Sequence, residues 1–168
     1  MRLLNFAYSF FISLRRNLGY NMELSDWFKG FEKGIARLSS EQREAFFSEC
    51  GKNCVQSGTL QVYKTLYEDA HGDLDIFFLK ANELPGVRCE IAEKGTVYHL
   101  YFTECTCSLH KQGYVSTPIL CECSKQSILY VLHSLWKNRT FRVTICDSIL
   151  RGSRHCKMQI ETIDNGNS

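Results

Sequence analysis

The sequence predicts an α+β protein in which an N-terminal helical half packs on a C-terminal ββ-loop-α-ββ antiparallel sheet layer. In the first half, apolar residues recur three and four positions apart, which is the helical period. After Gly86 they alternate with polar residues, which is the strand period. A chain of 168 residues with 44% hydrophobic residues can bury one core, so one domain is expected. Its expected parts are an extension outside the fold (1–21), a helical subdomain (22–82), a cysteine-rich α+β half (83–164) and a tail (165–168).

Four helices are predicted in the first half. Ser25 can cap the first, and the second starts at a capping box formed by Ser39 and Gln42 and ends at Gly58. The third ends near Gly72, and a shorter fourth follows. The inward stripes are Trp27, Phe28, Phe31, Ile35, Leu38, Phe46, Phe47, Cys50, Cys54, Leu60, Tyr63, Leu66, Tyr67, Leu74, Phe77, Phe78 and Leu79.

A first β-hairpin is predicted after the helices. Val87, Cys89 and Ile91 alternate with polar residues, turn residues follow at 93–95, and the chain returns over 96–103 with aromatic and β-branched residues. Residues on alternate positions of such strands can face inward, and this is the expected role of Cys89 and of Cys146 and Cys156 further on.

A long loop, a helix and a second hairpin complete the predicted fold. Residues 104–122 show no sustained period, and long loops in compact domains tend to be functional. Ser124 can cap a helix through Trp136 that is apolar around most of its circumference, so it is expected to lie against the sheet. The closing hairpin pairs 141–150 with 156–163.

Charge and the N-terminus exclude several partners. The net charge of +2 leaves no basic excess for a run of phosphates, so nucleic acid is not expected as a partner. The apolar stretch 3–14 is interrupted by three polar residues and is not followed by a signal-peptide cleavage site. It is also shorter than the roughly 20 residues that span a bilayer. We therefore expect no membrane segment and a cytoplasmic location, with Met22 as an alternative translation start. Nine cysteines, an odd number, favour reduced thiols.

A pair of Cys-x-Cys motifs marks the predicted site. Cys105 and Cys107 lie at the start of the predicted long loop, and Cys121 and Cys123 lie at its end, directly before the predicted helix. Residues two apart in an extended segment point to the same side, so each pair can present its sulfurs together. Four thiolates of this kind are typical zinc ligands, with His110 as a substitute, although the paired ligands of structural zinc sites usually stand two to four residues apart. The alternative is that some of these cysteines are small buried hydrophobic residues.

A nucleophilic interpretation competes with the metal site. Cys121 and Cys123 immediately precede the predicted Ser124 cap, and a thiol at a helix N-terminus has a lowered pKa. Cys123 is therefore the best candidate for a reactive thiol, with Cys121 beside it and His110 as the catalytic base. His99 on the preceding strand is an alternative base.

The C-terminal half resembles a family of small bacterial proteins. The resemblance rests on 98–107, on 120–124 and on a closing hairpin that runs from Ser148 through Gly152 to Cys156. The family is that of uncharacterised proteins similar to L-2-amino-thiazoline-4-carboxylic acid hydrolase, and it is more distantly like the vinyl-reductase-like small-molecule-binding domain. The resemblance implies a ligand pocket between sheet and helix, a homodimer in some relatives, and hydrolysis of a cyclic amidine.

Three functions are therefore open. The first is a binding module that holds a small molecule or zinc through Cys105, Cys107, Cys121 and Cys123. The second is a cysteine-dependent hydrolase of a small cyclic amidine. The third is a redox protein, which is less favoured because dithiol motifs more often have two intervening residues.

Overall fold

The computed structural model describes residues 23–163, and the predicted extension (1–21) and tail (165–168) lie outside these residues. Six helices and four strands are present in the described part. The helices are α1 (Leu24–Ala36), α2 (Ser40–Cys54), α3 (Leu60–Asp69), α4 (Leu74–Lys80), α5 (Ser108–Lys111) and α6 (Cys121–Leu135). The strands are β1 (Val87–Glu93), β2 (Val97–Phe102), β3 (Thr140–Asp147) and β4 (Cys156–Ile163). The predicted α+β class is confirmed.

The helical half follows its local sequence signals closely. The capping box of α2 is present, with the Ser39 hydroxyl accepting from the Gln42 amide and the Gln42 side chain accepting from the Ser39 amide. The first helix begins at Leu24 with Glu23 in the cap position, so the expected Ser25 cap is wrong by two residues. A π-helical turn at Val55–Thr59 links α2 to α3, and the backbone kinks at Gly58.

The four strands form one antiparallel sheet in the order β1-β2-β4-β3. One face of the sheet is covered by helices, because α4 packs on β1 and α6 packs on β3. Successive side chains of a strand point to opposite faces of the sheet. Tyr98 and Leu100 of β2 therefore lie in the core, and His99 between them faces away from it. No helix between residues 23 and 163 has the length and apolar character that crossing a bilayer requires.

The main core lies between this sheet face and the helices. The Trp136 indole N–H donates to the Gly72 carbonyl at 2.8 Å, and the Tyr98 hydroxyl donates to Asp75 at 2.6 Å, so both buried polar groups are satisfied. Its fully packed members are Leu66, Ala70, Leu74, Phe77, Phe78, Ala81, Cys89, Tyr98, Leu100, Ile128, Leu132, Trp136, Phe141, Val143, Met158 and Ile160.

A second apolar cluster lies where α1 and α2 meet the segment before α6. Its buried members are Ile35, Phe47, Val115 and Leu120. The helices α2 and α6 cross very closely at Gly51, since a Cβ built there would lie 2.7 Å from the Ser127 amide nitrogen. The Ser127 hydroxyl donates to the Gly51 carbonyl at 3.3 Å across this crossing. Only glycine permits such an approach of two helix backbones.

The predicted long loop (104–122) contains more structure than expected. It holds the short helix α5 and a 3-10 turn at Pro118–Leu120, in which Thr117 caps the first turn. This 3-10 turn runs directly into α6, which therefore begins at Cys121 and not after Ser124. The predicted start of this helix is wrong, and the correction changes the geometry of the cysteines.

Candidate functional site: a thiol-lined pocket at the end of the sheet

The candidate site lies at the end of the sheet where β2 and β3 finish and β4 begins. Phe102 is the last residue of β2, and its register partner is Cys156, the first residue of β4. Cys105, in the segment that follows β2, and Cys121, in the first turn of α6, also lie at this end. Three separate segments thus deliver cysteines to one place.

A small pocket occupies this position. Four thiols line it, those of Cys105, Cys107, Cys121 and Cys156. Apolar side chains form the remaining walls, and polar groups such as Glu104 and Asp147 also line it; the other lining residues are Phe102, Thr106, Leu120, Ser124, Ile145, Ser148, Leu150 and Met158. The cavity volume is about 20 Å³, which is slightly more than one water molecule needs.

Ser148 is the most unusual polar residue of this pocket. It is 1% exposed, and among residues 23–163 its hydroxyl has no hydrogen-bond partner of ordinary geometry. Its backbone is satisfied, because its amide donates to the Asp147 carboxylate at 3.0 Å and its carbonyl accepts from the Arg151 amide at 3.0 Å. The Ser148 hydroxyl lies near enough to the Cys121 thiol to lower its pKa. A buried hydroxyl without a partner carries a desolvation cost, so a partner supplied by a ligand would be favourable.

Burial dominates the acidity of the pocket thiols. The pKa of Cys121 is raised, mainly by burial and further by the nearby thiols of Cys156 and Cys105, and Ser148 and Arg151 offset only part of this. The pKa of Cys105 is raised for the same first reason; a hydrogen bond to the Cys107 backbone offsets part of this, and the thiols of Cys107 and Cys156 raise it further. Both thiols are therefore protonated at neutral pH, and the pocket is lined by neutral, polarizable sulfur.

The two cysteines of the second motif do not point the same way. Both lie in the first turn of α6, and residues two apart on an α-helix project about 200° from each other. Cys121 lines the pocket, whereas Cys123 packs against the second apolar cluster together with Cys50. The expectation that Cys121 and Cys123 present their sulfurs together is wrong, because it assumed an extended segment. Cys107 has an extended backbone, and both Cys105 and Cys107 line the pocket.

Cys123 does not have the acidity expected of a nucleophile. Burial raises its pKa to about 12, and the neighbouring thiols of Cys50, Cys54 and Cys107 contribute in the same direction. The predicted lowering by the helix N-terminus is therefore wrong, since desolvation outweighs the helix dipole at this position.

The two candidate bases are engaged elsewhere. The Nδ1 of His110 lies 3.1 Å from the Val115 carbonyl oxygen within its own loop, and His110 is not among the residues that line the pocket. His99 lies on the sheet face turned away from the helices, with its Nδ1 3.9 Å from a Glu90 carboxylate oxygen. Neither histidine is therefore placed to take a proton from a pocket thiol in this structure.

The predicted zinc site involves the same residues. Within the described range 23–163, no group of three or more His, Cys, Asp or Glu side chains is arranged to hold a metal ion. The projection of Cys121 and Cys123 to opposite sides of α6 gives a physical reason for this, although Cys107 lies near Cys123 as well as in the pocket. All nine cysteines lie in the described range and all are free thiols. Zinc binding stays a prediction.

Comparison with known proteins leaves the family open. No family model matches the sequence, and no curated protein matches it significantly. Among solved structures, one similar chain belongs to the crystal structure of an H-NOX protein from S. oneidensis in the Fe(II)NO ligation state. It is 14% identical, with a TM-score of 0.46 over 84% of this chain and 74% of that chain. A likeness at this level supports no argument about ligand or activity.

Sequence reasoning missed two members of the site. Cys156 was expected to be an ordinary inward-facing strand residue, and Ser148 was noticed only as part of the closing hairpin. The signal that could have found them is their placement near the two strand ends of the hairpin. Ser148 directly follows β3, although the predicted strand ran on to residue 150, and Cys156 is the first residue of β4. In an antiparallel hairpin these positions meet at the same end of the sheet.

Proposed function

We propose that this protein is a small-molecule-binding module whose ligand places an apolar group and one polar atom in the thiol-lined pocket. The observation that carries the proposal is the Ser148 hydroxyl, which is buried in a largely apolar, sulfur-lined cavity without a hydrogen-bond partner of ordinary geometry in the described range and with the Cys121 thiol nearby. A ligand oxygen or nitrogen beside it would remove that cost, which is about 1–3 kcal/mol for a buried hydroxyl. Protonated thiols would contact the apolar part.

The pocket volume limits what can enter. A cavity of about 20 Å³ accepts little more than one heavy atom, so any larger ligand group would need lining side chains at the mouth to move. We therefore expect the recognised part of the ligand to be small and uncharged. The resemblance to the aminothiazoline carboxylate hydrolase-like family, a homodimer and a cytoplasmic location belong to the same proposal.

The hydrolase alternative has no specific observation in its favour. A thiolate nucleophile requires a lowered pKa or an adjacent base, whereas the thiols of Cys121 and Cys123 have raised pKa values and His110 contacts the Val115 carbonyl. A metal-binding module would require the thiols of Cys105, Cys107, Cys121 and Cys123 to converge on one ion. Zinc is tested beside the small molecules because it distinguishes that module from a small-molecule site.

The test uses the full chain, uniformly labelled with ¹⁵N and kept reduced. Methanol, 2-propanol and acetone are titrated separately, because each combines a small apolar body with one hydrogen-bonding oxygen. We expect saturable amide shifts concentrated at Ser148, Cys121 and Cys156, and weaker binding to Ser148→Ala. Thr96→Val is the control, since Thr96 also has a buried hydroxyl without a partner in the described range but does not line this pocket.

Two outcomes would contradict the proposal. Shifts that are absent, or scattered over the surface without saturation, would remove the small-molecule site. Equal binding by the wild type and by Ser148→Ala would remove the role of the hydroxyl. Saturable shifts with Zn²⁺ at Cys105, Cys107 and Cys121, without any response to the organic probes, would favour the metal-binding module instead.

A further inference from the structure

A second, larger cleft lies beside the thiol-lined pocket and has a different chemistry. Its volume is about 290 Å³, close to the lower limit of small-molecule sites. It is formed by the first turns of α2 and α6, by the 3-10 turn before α6 and by the 3-10 turn at Ile149–Arg151 after β3. Ile145 borders both this cleft and the pocket, so the two share one wall.

Five charged side chains line this cleft. They are Arg43, Glu44, Glu122, Lys125 and Arg151. Lys125 lies at the contact between α2 and α6, where its ammonium nitrogen is 2.7 Å from a Glu44 oxygen and 2.9 Å from a Glu122 oxygen. Its side chain is only 17% exposed. Both carboxylates of the cleft are therefore engaged by one lysine.

The two arginines are left without such partners. Neither Arg43 nor Arg151 forms an ion pair at contact distance with any residue from 23 to 163. Arg43 Nε donates to the Ser39 carbonyl at 3.5 Å, which orients the guanidinium and leaves its terminal nitrogens free to donate. Arg151 acts on Asp147 only as a nearby charge. Three cations against two carboxylates give the lining residues a net charge of +1.

We infer that this cleft binds the oxyanion of a small molecule, a phosphate or a carboxylate, between Arg43 and Arg151. The guanidinium group is planar, always charged and matched to the paired oxygens of these anions. Two unpaired guanidinium groups across one cleft, with the competing carboxylates held by Lys125, form the arrangement that such an anion requires. The inference is independent of the thiol-lined pocket and of its ligand.

The test measures binding of inorganic phosphate and of acetate to the full chain at neutral pH by calorimetry and by ¹⁵N shifts, including the arginine Nε–H signals. We expect saturable binding with shifts at Arg43 and Arg151. Arg43→Gln and Arg151→Gln should each weaken it by about 10- to 100-fold, which corresponds to the loss of a hydrogen bond to a charged group. Tighter binding of phosphate identifies a phosphorylated ligand class, and tighter binding of acetate identifies a carboxylate.

Arg37→Gln is the matched control. Arg37 lies at the end of α1, outside the cleft, and its substitution changes the net charge by the same amount. We expect it to alter binding by less than about twofold, as for an exposed charge. The inference is overturned if neither anion binds saturably at millimolar concentration, or if Arg37→Gln weakens binding as much as the cleft variants do. Both results leave the response of the thiol-lined pocket to uncharged probes unaffected.

Discussion

Replacing Ser148 by alanine should stabilise the ligand-free protein, although buried polar residues are usually expected to be important for stability. The substitution removes a hydroxyl that is 1% exposed and has no hydrogen-bond partner of ordinary geometry among the described residues. The backbone hydrogen bonds of Ser148 do not involve its side chain and remain. The change therefore isolates one buried hydroxyl, together with its weak interaction with the Cys121 thiol.

The expected magnitude follows from two opposing effects. Removing a buried hydroxyl without a partner recovers about 1–3 kcal/mol of desolvation cost. The vacated space of one oxygen atom costs about 0.4 kcal/mol at the usual penalty per unit of cavity volume. The net effect is a gain of about 0.6–2.6 kcal/mol in the free energy of unfolding. For a domain of this length, each kcal/mol corresponds to a rise of about 2–4 °C in Tm.

Urea unfolding and thermal unfolding, monitored by circular dichroism, measure this effect on reduced protein that native mass spectrometry shows to be ligand-free. Ser39→Ala is the comparison, because it removes a hydroxyl that accepts the capping bond of α2. That variant should lose about 1 kcal/mol. If Ser148→Ala loses stability to a similar extent, the hydroxyl is satisfied in the native protein and the argument for a ligand at this position is refuted.

Two further predictions concern the helix crossing and the buried thiols. Gly51→Ala should destabilise the protein by about 1–3 kcal/mol despite the better helix propensity of alanine, because its Cβ would meet the Ser127 amide nitrogen at 2.7 Å. Gly30→Ala in α1, where a Cβ meets nothing within 4 Å, should instead stabilise it by about 0.5–1 kcal/mol, and equal effects in urea unfolding would contradict the close crossing. The second prediction is that stability falls at alkaline pH. Burial raises the pKa of Cys89 to about 12. Between about pH 8.5 and pH 12 the unfolded chain therefore loses a proton that the folded protein keeps, and the free energy of unfolding falls as pH rises. Cys89→Ala should flatten the slope of unfolding free energy against pH, and Cys123→Ala should flatten it by a similar amount because its pKa is also raised to about 12. An unchanged slope in both variants would show that burial does not raise these pKa values.

Much of the fold could be predicted because its signals are local. The Ser39–Gln42 capping box, the helical stripes and the alternation at 87–91 each depend on residues a few positions apart. The close crossing at Gly51 could not be predicted in this way, since an interior helix glycine has no sequence pattern that identifies its partner 76 residues away. Such contacts depend on how the elements pack.

The candidate site was predicted in part, and the error has one physical source. The sequence analysis placed the start of α6 at the Ser124 cap, whereas the 3-10 turn at Pro118–Leu120 continues into the helix and makes Cys121 its first residue. Side chains in this segment therefore follow the helical period of 3.6 residues and not the period of 2 of an extended segment. As a result, Cys121 lies in the thiol-lined pocket and Cys123 lies in the second apolar cluster. The cysteines remain central to the site, but their partners are different.

The placement of Cys121 and Cys123 on opposite sides of α6 bears on how the two halves of the protein are joined. Cys121 faces the end of the sheet, and Cys123 faces α2, where burial raises its pKa to about 12. The start of α6 therefore forms one wall of the thiol-lined pocket and also carries Glu122 and Lys125, which line the cleft. Lys125 forms ion pairs with Glu122 and with Glu44 of α2. A ligand that moves this turn at the pocket would change the position of Lys125 relative to Glu44. If the pocket and the cleft are both occupied, their affinities should depend on each other, and by linkage the effect must be the same in both directions.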